Sequence, residues 1–381
     1  MDAGAALRRA GTLTGAIADQ LRAPARVPVA QLDLASAAAA LQRAGADVAQ
    51  VRVDARSEPW TATGLVARQG APITWLAHGD SWIAMRRGLH LDAALQLRVR
   101  TGGAGPALDG TGATFTAAAP HDGPIELCSL FPGELRGGEE RVEYDRTMPR
   151  ALFGGGFDVV VAVWPSGTDV GARLADAAEH DPTGLCRREF DRIGAAIAPP
   201  SGWEPHRHVP LAGLHHEHDG VVDVHSLGRV EIVCREARAP LTETLRLRWR
   251  WCMGRLPARR AEDTLLTHDY MSVAVEFDDG RDLAYHWSVA LPPETSYRCP
   301  LPHWRKREWH LVVRSGSTGL GEWHNEERTL APDRANAIGG ATPREVVRVW
   351  LIVTCVCAGG EARGCYANVE LVDGGSTIRV L

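Results

Sequence analysis

Leu245-Arg246-Leu247-Arg248-Trp249-Arg250-Trp251 alternates apolar residues and arginines without a break. Successive side chains of a β-strand leave opposite faces, so a period of two marks a half-buried strand. Leu245, Leu247, Trp249 and Trp251 are expected to face a core, with Arg246, Arg248 and Arg250 outward. Short apolar or alternating runs recur around this stretch, at 221–225, 229–233, 271–277, 283–287, 308–313, 348–356 and 366–372. Asp278-Asp279-Gly280 supplies a hairpin turn, its glycine free to take positive φ. Many short strands with polar turns and no βαβ alternation predict an antiparallel sandwich over 221–381.

Upstream the pattern is mixed. Residues 1–60 read as a partly helical extension, in which Asp33 caps an alanine-rich helix over 34–44 and a short strand follows at 47–54. Residues 61–198 read as a second β-sandwich, with strands at 73–76, 81–85, 94–100, 125–131 and 158–164. A helical segment at 170–195 is broken at Asp181-Pro182. Ala198-Pro199-Pro200-Ser201-Gly202-Trp203 opens a linker over 199–220. The expected fold is therefore mainly β: two antiparallel, jelly-roll-like β-sandwich domains with a few short helices.

Composition narrows the function classes. The 381 residues carry a formal net charge of −5, against a nucleic-acid surface built on bulk charge. Lys306 is the only lysine, so arginine is simply the available cation and a single arginine carries little information. Near the N-terminus, Leu7, Leu13, Ile17 and Leu21 are interrupted by Arg8, Arg9, Asp19 and Arg22. That pattern is neither a signal peptide nor a membrane span, and a cytoplasmic location is expected. The eight cysteines are scattered, and Cys355 and Cys357 lack Cys-x-x-Cys spacing, so buried structural thiols are expected. The glycine-rich loop 102–112 lacks a phosphate-loop ending, and neither a dinucleotide fingerprint nor a Gly-x-Ser-x-Gly elbow occurs. No cofactor is expected.

From about residue 221 onward, the order of motifs resembles an uncharacterised bacterial β-sandwich family, a domain of unknown function. The motifs are Leu247-Arg248-Trp249-Arg250-Trp251, Thr267-His268-Asp269-Tyr270, Leu283-Ala284-Tyr285-His286-Trp287-Ser288, Arg314-Ser315-Gly316, Gly321-Glu322-Trp323-His324-Asn325-Glu326-Glu327-Arg328 and Asp333-Arg334. The resemblance covers about two fifths of the chain. The chain departs from it twice. The family carries two adjacent acidic residues where this chain has His268-Asp269, and an Asp-rich loop where it has Thr354-Cys355-Val356-Cys357-Ala358-Gly359-Gly360. If that acidic loop binds a cation or a sugar, the site is lost or altered here. More weakly, residues 75–100, with Gly123-Pro124-Ile125-Glu126-Leu127 and Phe131-Pro132-Gly133-Glu134, are similar to small galactoside-binding lectin-like sandwiches. This implies a fold before any ligand.

Within these motifs, His268 and Asp269 combine an imidazole with a carboxylate at a strand entry, which suits acid/base work on a concave rim. A turn that satisfies backbone donors is the simpler account of them. Tyr285 and Trp287 share a strand face, as sugar-stacking aromatics do and as core aromatics do. Trp323 adds an aromatic surface, and Arg314, Arg328 and Arg334 could clamp an anion or make ordinary ion pairs. His206, His208, His215, His216 and His218 form the densest run of potential ligands, but their spacing matches no metal motif and a solvated loop accounts for them. The leading expectation is binding of a small polar ligand, carbohydrate-like or anionic, by Trp287, Arg314, Trp323 and Arg334. The alternative is a cofactor-independent enzyme for cyclisation, elimination or hydrolysis in a specialised-metabolite pathway, with His268, Asp269, Tyr285 and Arg328 as its catalytic groups. A scaffold for a protein partner or a second copy is the third reading.

Overall fold

The structure is a computed structural model that describes residues 3–22, 32–56, 60–83, 89–103, 107–108, 113–130, 133–136, 141–144, 150–194, 199–206, 215–301, 304–357 and 360–381. The chain divides into two compact units. One comprises Met1–Arg22, Ala198–His206 and Leu211–Leu381; the other comprises Ala23–Ile197 and Arg207–Pro210. Both are built mainly from antiparallel β-sheet.

In the unit containing the C-terminus, the alternating stretch forms the strand Arg246–Arg255 of a six-stranded sheet, pairing with Glu361–Asp373 on one side and His324–Thr329 on the other. Glu361–Asp373 also pairs with Val221–Leu227 and Ser376–Arg379, and Val221–Leu227 with His215–His218. Leu245, Leu247, Trp249 and Trp251 are all buried, as their period demands. Arg246 and Arg248 reach Glu327, and the Arg250 guanidinium lies 4.9 Å from the Trp323 ring centroid. The arginine face is thus a half-exposed surface of ion pairs, each worth at most about 1 kcal/mol.

A seven-stranded sheet supplies the other half of the sandwich. Its order is Glu204–Pro205, Val230–Pro240, Glu345–Thr354, Tyr270–Phe277, Asp282–Ser288, Glu308–Ser315 and Ser296–Arg298. All pairings are antiparallel except that of Asp282–Ser288 with Glu308–Ser315. Met271, Val273, Val275, Leu283, Tyr285 and Trp287 join the tryptophans of the first sheet in one apolar core. The rings of Trp249 and Tyr285 lie 5.5 Å apart, and those of Trp251 and Trp287 6.1 Å apart.

Along two neighbouring strands the outward face of this sheet is also buried: every residue of Tyr270–Phe277 and of Asp282–Ser288 is buried. Here the side chains are polar: Ser272, Asp282, His286, Ser288, Glu308 and His310. The chain between Arg255 and Tyr270 covers part of this face, with Glu262 accepting hydrogen bonds from Ser288 Oγ at 2.5 Å and Val289 N at 2.7 Å. The helix Ala3–Arg22 attaches to the same segment through Arg9–Asp263 at 3.2 Å and Asp19–Arg260 at 2.6 Å.

The other unit pairs a five-stranded sheet with a three-stranded one around the core of Trp75, Val99, Leu127, Phe157 and Val161. Helices Leu34–Arg43, Val170–Glu179 and Leu185–Gly194 cover the far face of the larger sheet through Leu41, Leu174 and Cys186. Asp33 caps the first, accepting from Ala35 N at 3.2 Å. The break between the last two is stabilised by Asp181, which accepts from Thr183 N at 2.9 Å and Cys186 N at 2.8 Å. The runs at 73–76 and 81–85, read as two strands, belong to one strand, Pro72–Ile83. Gly79 does not break it: φ is +117°, and the missing side chain lets the chain pass the carbonyl of Gly156. Among the described residues, no helix is long and apolar enough to cross a membrane.

Candidate metal centre

His268, Cys299, Glu308 and His310 converge on the polar face of the seven-stranded sheet. One donor atom from each lies within 4.8 Å of all the others, and all four residues are buried. Two come from one strand: Glu308 and His310 are two apart in Glu308–Ser315 and so share a face. His310 lies opposite Tyr297 of Ser296–Arg298, and Cys299 follows that short strand directly. His268 arrives from the turn that leads into Tyr270–Phe277.

The hydrogen bonds fix what each donor presents. His268 Nδ1 lies 2.8 Å from the carbonyl of Glu262, to which it donates, so Nε2 presents a lone pair toward the other donors. Cys299 Sγ lies 3.3 Å from that Nε2. Tyr270 donates its hydroxyl to Glu308 Oε1 at 2.8 Å. His310 Nε2 sits 2.6 Å from the same oxygen, yet neither ring nitrogen of His310 has an aligned hydrogen bond among the described residues. Rings enclose it: Tyr297 stacks at 4.8 Å, and His268, Tyr270 and His286 stand edge-on at 4.8, 4.7 and 5.6 Å. His286 Nε2 lies 3.2 Å from the Tyr297 hydroxyl.

Burial sets the protonation states. It holds His268 down to about 3, with the neighbouring His310 adding to the effect. It likewise pushes His286 well below the ordinary imidazole value and Cys299 well above the ordinary thiol value. Burial also opposes ionisation of Glu308, but His310, His268 and the Tyr270 hydroxyl outweigh it and bring that carboxyl to about 2. The set presents the neutral imidazole of His268, a carboxylate and a thiol whose proton a cation would displace, with the His310 ring beside them.

Of the sequence candidates, His268 alone belongs to this centre. Asp269, its neighbour, points away and accepts from Cys357 N at 2.7 Å, bracing the chain at Cys357. Tyr285 and His286 leave opposite faces of one strand, so Tyr285 lies in the sandwich core, on the far side of the sheet from His268. His268 and Tyr285 therefore do not line one site. Tyr285 donates instead to Asp333 at 3.2 Å, and Asp333 holds Arg328 through Nε and a second guanidinium nitrogen, both at 2.8 Å. Glu294 takes the remaining Arg328 donors at 2.6 and 2.9 Å.

The expected ligand-binding side chains are similarly engaged. Trp287 is buried, its indole donating to the Gly316 carbonyl at 2.9 Å. Arg314 pairs with Glu326. Arg334 is buried against Asp279 at 2.7 Å and the Gly339 carbonyl. Trp323 is the exposed member, at 40% accessibility. The histidine run is divided between sheets. His206 continues the edge strand Glu204–Pro205 and packs on Trp304 and Trp350, while His218 contacts Asp223 at 2.6 Å in the six-stranded sheet. His208 and the side chains of His215 and His216 lie outside the described residues.

Residues 207–370 match the model of a family described as a protein of unknown function, DUF3047. No curated protein matches. Among solved structures, the N-terminal domain of EclA, a PllA-like lectin, aligns at 19% identity over 30% of this chain and 95% of its own, with a TM-score of 0.21. The xyloglucanase domain of NopAA, a type three effector from Sinorhizobium fredii in complex with cellobiose, aligns at 8% identity over 46% of this chain and 95% of its own, with a TM-score of 0.31. Superpositions this loose carry no argument about a ligand.

Proposed function

We propose that the C-terminal unit is a metal-binding β-sandwich that holds one ion of the zinc class through His268, Cys299, Glu308 and His310. The observation that carries this reading is the convergence of four buried donors around His310, whose Nδ1 has no hydrogen-bond partner among the described residues and whose Nε2 meets the Glu308 carboxylate without an aligned hydrogen bond. A buried polar group without a partner costs about 1–3 kcal/mol, and a cation between the donors removes that cost. Two imidazoles, one thiolate and one carboxylate suit a borderline ion better than calcium or magnesium, which prefer oxygen alone. Four protein ligands in a closed setting describe a structural site rather than one with an open position for substrate. The Glu262 carbonyl and the Tyr270 hydroxyl orient His268 and Glu308 from outside, as metal-site neighbours do.

The ion would tie two separate stretches of chain, around His268 and around Cys299, to the strand Glu308–Ser315 of the sheet. Binding of a carbohydrate-like or anionic ligand draws no support from Trp287, Arg314 or Arg334, which are buried or ion-paired. Cobalt substitution tests the metal reading. The cobalt-loaded protein is expected to show the intense visible bands of a four-coordinate ion and a thiolate charge-transfer band. Cys299→Ser should abolish the second. A spectrum of hexahydrated cobalt, unchanged by protein, would reject the site.

A further inference from the structure

A second constellation lies on the other sheet, facing away from the core. Cys252 and Cys365 are direct cross-strand partners between Arg246–Arg255 and Glu361–Asp373. Their sequence neighbours Trp251 and Tyr366 point inward, so both thiols point outward, and both are free and half-buried. Asp223 is the register partner of Cys365 on the next strand and accepts its S–H at 2.9 Å. No other two of the eight cysteines are register partners among the described residues.

We infer that Cys252 and Cys365 form a reversible cross-strand disulfide that staples the six-stranded sheet. Directly opposed antiparallel residues have Cα atoms about 4.5 or 5.5 Å apart, and both values fall within the ~4.4–6.8 Å that a disulfide accepts. Their Cβ atoms, ordinarily about 4.5–5.5 Å apart, must approach to roughly 3.8 Å. Register shifts flank the pair, one between Arg248 and Arg250 and one between Met253 and Arg255, so the short segment can move without dragging the whole ladder.

The oxidant is a low-molecular-weight disulfide. The Cys252 thiolate attacks one of its sulfurs and releases one thiolate. Cys365 then attacks the Cys252 sulfur of the mixed disulfide and releases the second. Two protons leave the protein, and its two electrons reduce the oxidant to two thiols. Closure removes the S–H that Asp223 accepts, so oxidation also alters the Val221–Leu227 strand. Burial raises both thiols, and together with Asp223 it takes Cys365 to about 12. Exchange should therefore be slow at neutral pH and accelerate about tenfold per pH unit as thiolate forms.

The test is incubation of folded full-length protein with oxidised glutathione at pH 8, then alkylation and mass mapping. The expected product is a cross-linked peptide joining residues 252 and 365, reversed by dithiothreitol. Its melting temperature should rise by about 5 °C, because the bond closes a long loop in the unfolded chain. In Cys252→Ser or Cys365→Ser the surviving thiol should carry a single glutathione, and the temperature should not rise. Wild-type protein carrying two separate glutathiones, or two unmodified thiols when denatured protein is fully modified, would overturn the proposal.

Discussion

Along the strands Tyr270–Phe277 and Asp282–Ser288, the two faces of the seven-stranded sheet are buried alike and built unlike. One presents Met271, Val273, Val275, Leu283, Tyr285 and Trp287 to the sandwich core. The other presents Ser272, Asp282, His286, Ser288, Glu308 and His310 to a covering of irregular chain. Apolar burial stabilises in proportion to area and needs no partner. Polar burial is neutral or costly until each donor and acceptor is satisfied. Equal burial therefore carries opposite meanings: the first face holds the fold, and the second face is where a function must explain the cost.

The largest effects should separate the faces cleanly. On the core face, Trp287→Ala is expected to cost about 3–5 kcal/mol in chemical denaturation, with or without chelator. On the polar face, zinc at a thousandfold excess over its dissociation constant should stabilise wild-type protein by about 4 kcal/mol, and this gain should vanish in a Cys299→Ala, His310→Ala variant. With chelator present, His310→Leu should cost about 3–5 kcal/mol, because it leaves the buried Glu308 carboxylate without the imidazole 2.6 Å away. A loss under about 1 kcal/mol would mean that the two side chains are not paired in the metal-free protein.

Smaller effects sharpen the boundary between the faces. Tyr285→Phe removes one hydrogen bond to Asp333 and should cost about 1 kcal/mol, with no change in zinc affinity. A change in affinity would imply coupling through the sheet. At the rim, Arg328 holds the carboxyl of Glu294 below its ordinary value. A depressed carboxyl contributes stability above its unfolded pKa and loses it as pH falls through the folded value. Glu294→Gln should therefore cost under about 0.5 kcal/mol at pH 7 and nothing at the acid end of that window, because the pair is largely solvated.

The core face was legible and the polar face was not. Alternation from Leu245 to Trp251 predicted the correct inward residues because that strand has one buried face and one wet one. In Tyr270–Phe277 both faces are buried, so composition rather than exposure distinguishes them, and periodicity is silent. Tyr285 and Trp287 were read both as a sugar platform and as core, and burial decides for the core. Cys299, Glu308 and His310 were missed because the centre joins a turn, a strand end and a parallel-paired strand over forty residues, with no motif spacing. One local signal existed: Glu308-Trp309-His310 puts two potential ligands on one face of a strand. Asp33 and Asp181-Pro182, by contrast, act on their immediate neighbours, and the helix start and break they predicted were readable directly.

Elemental analysis of full-length protein, purified without chelator or immobilised metal, tests the central claim most directly. The expected result is about one zinc-class ion per chain in wild-type protein and a trace in the Cys299→Ala, His310→Ala variant. Equal traces in both, with no rise in wild-type melting temperature on adding zinc, would contradict it.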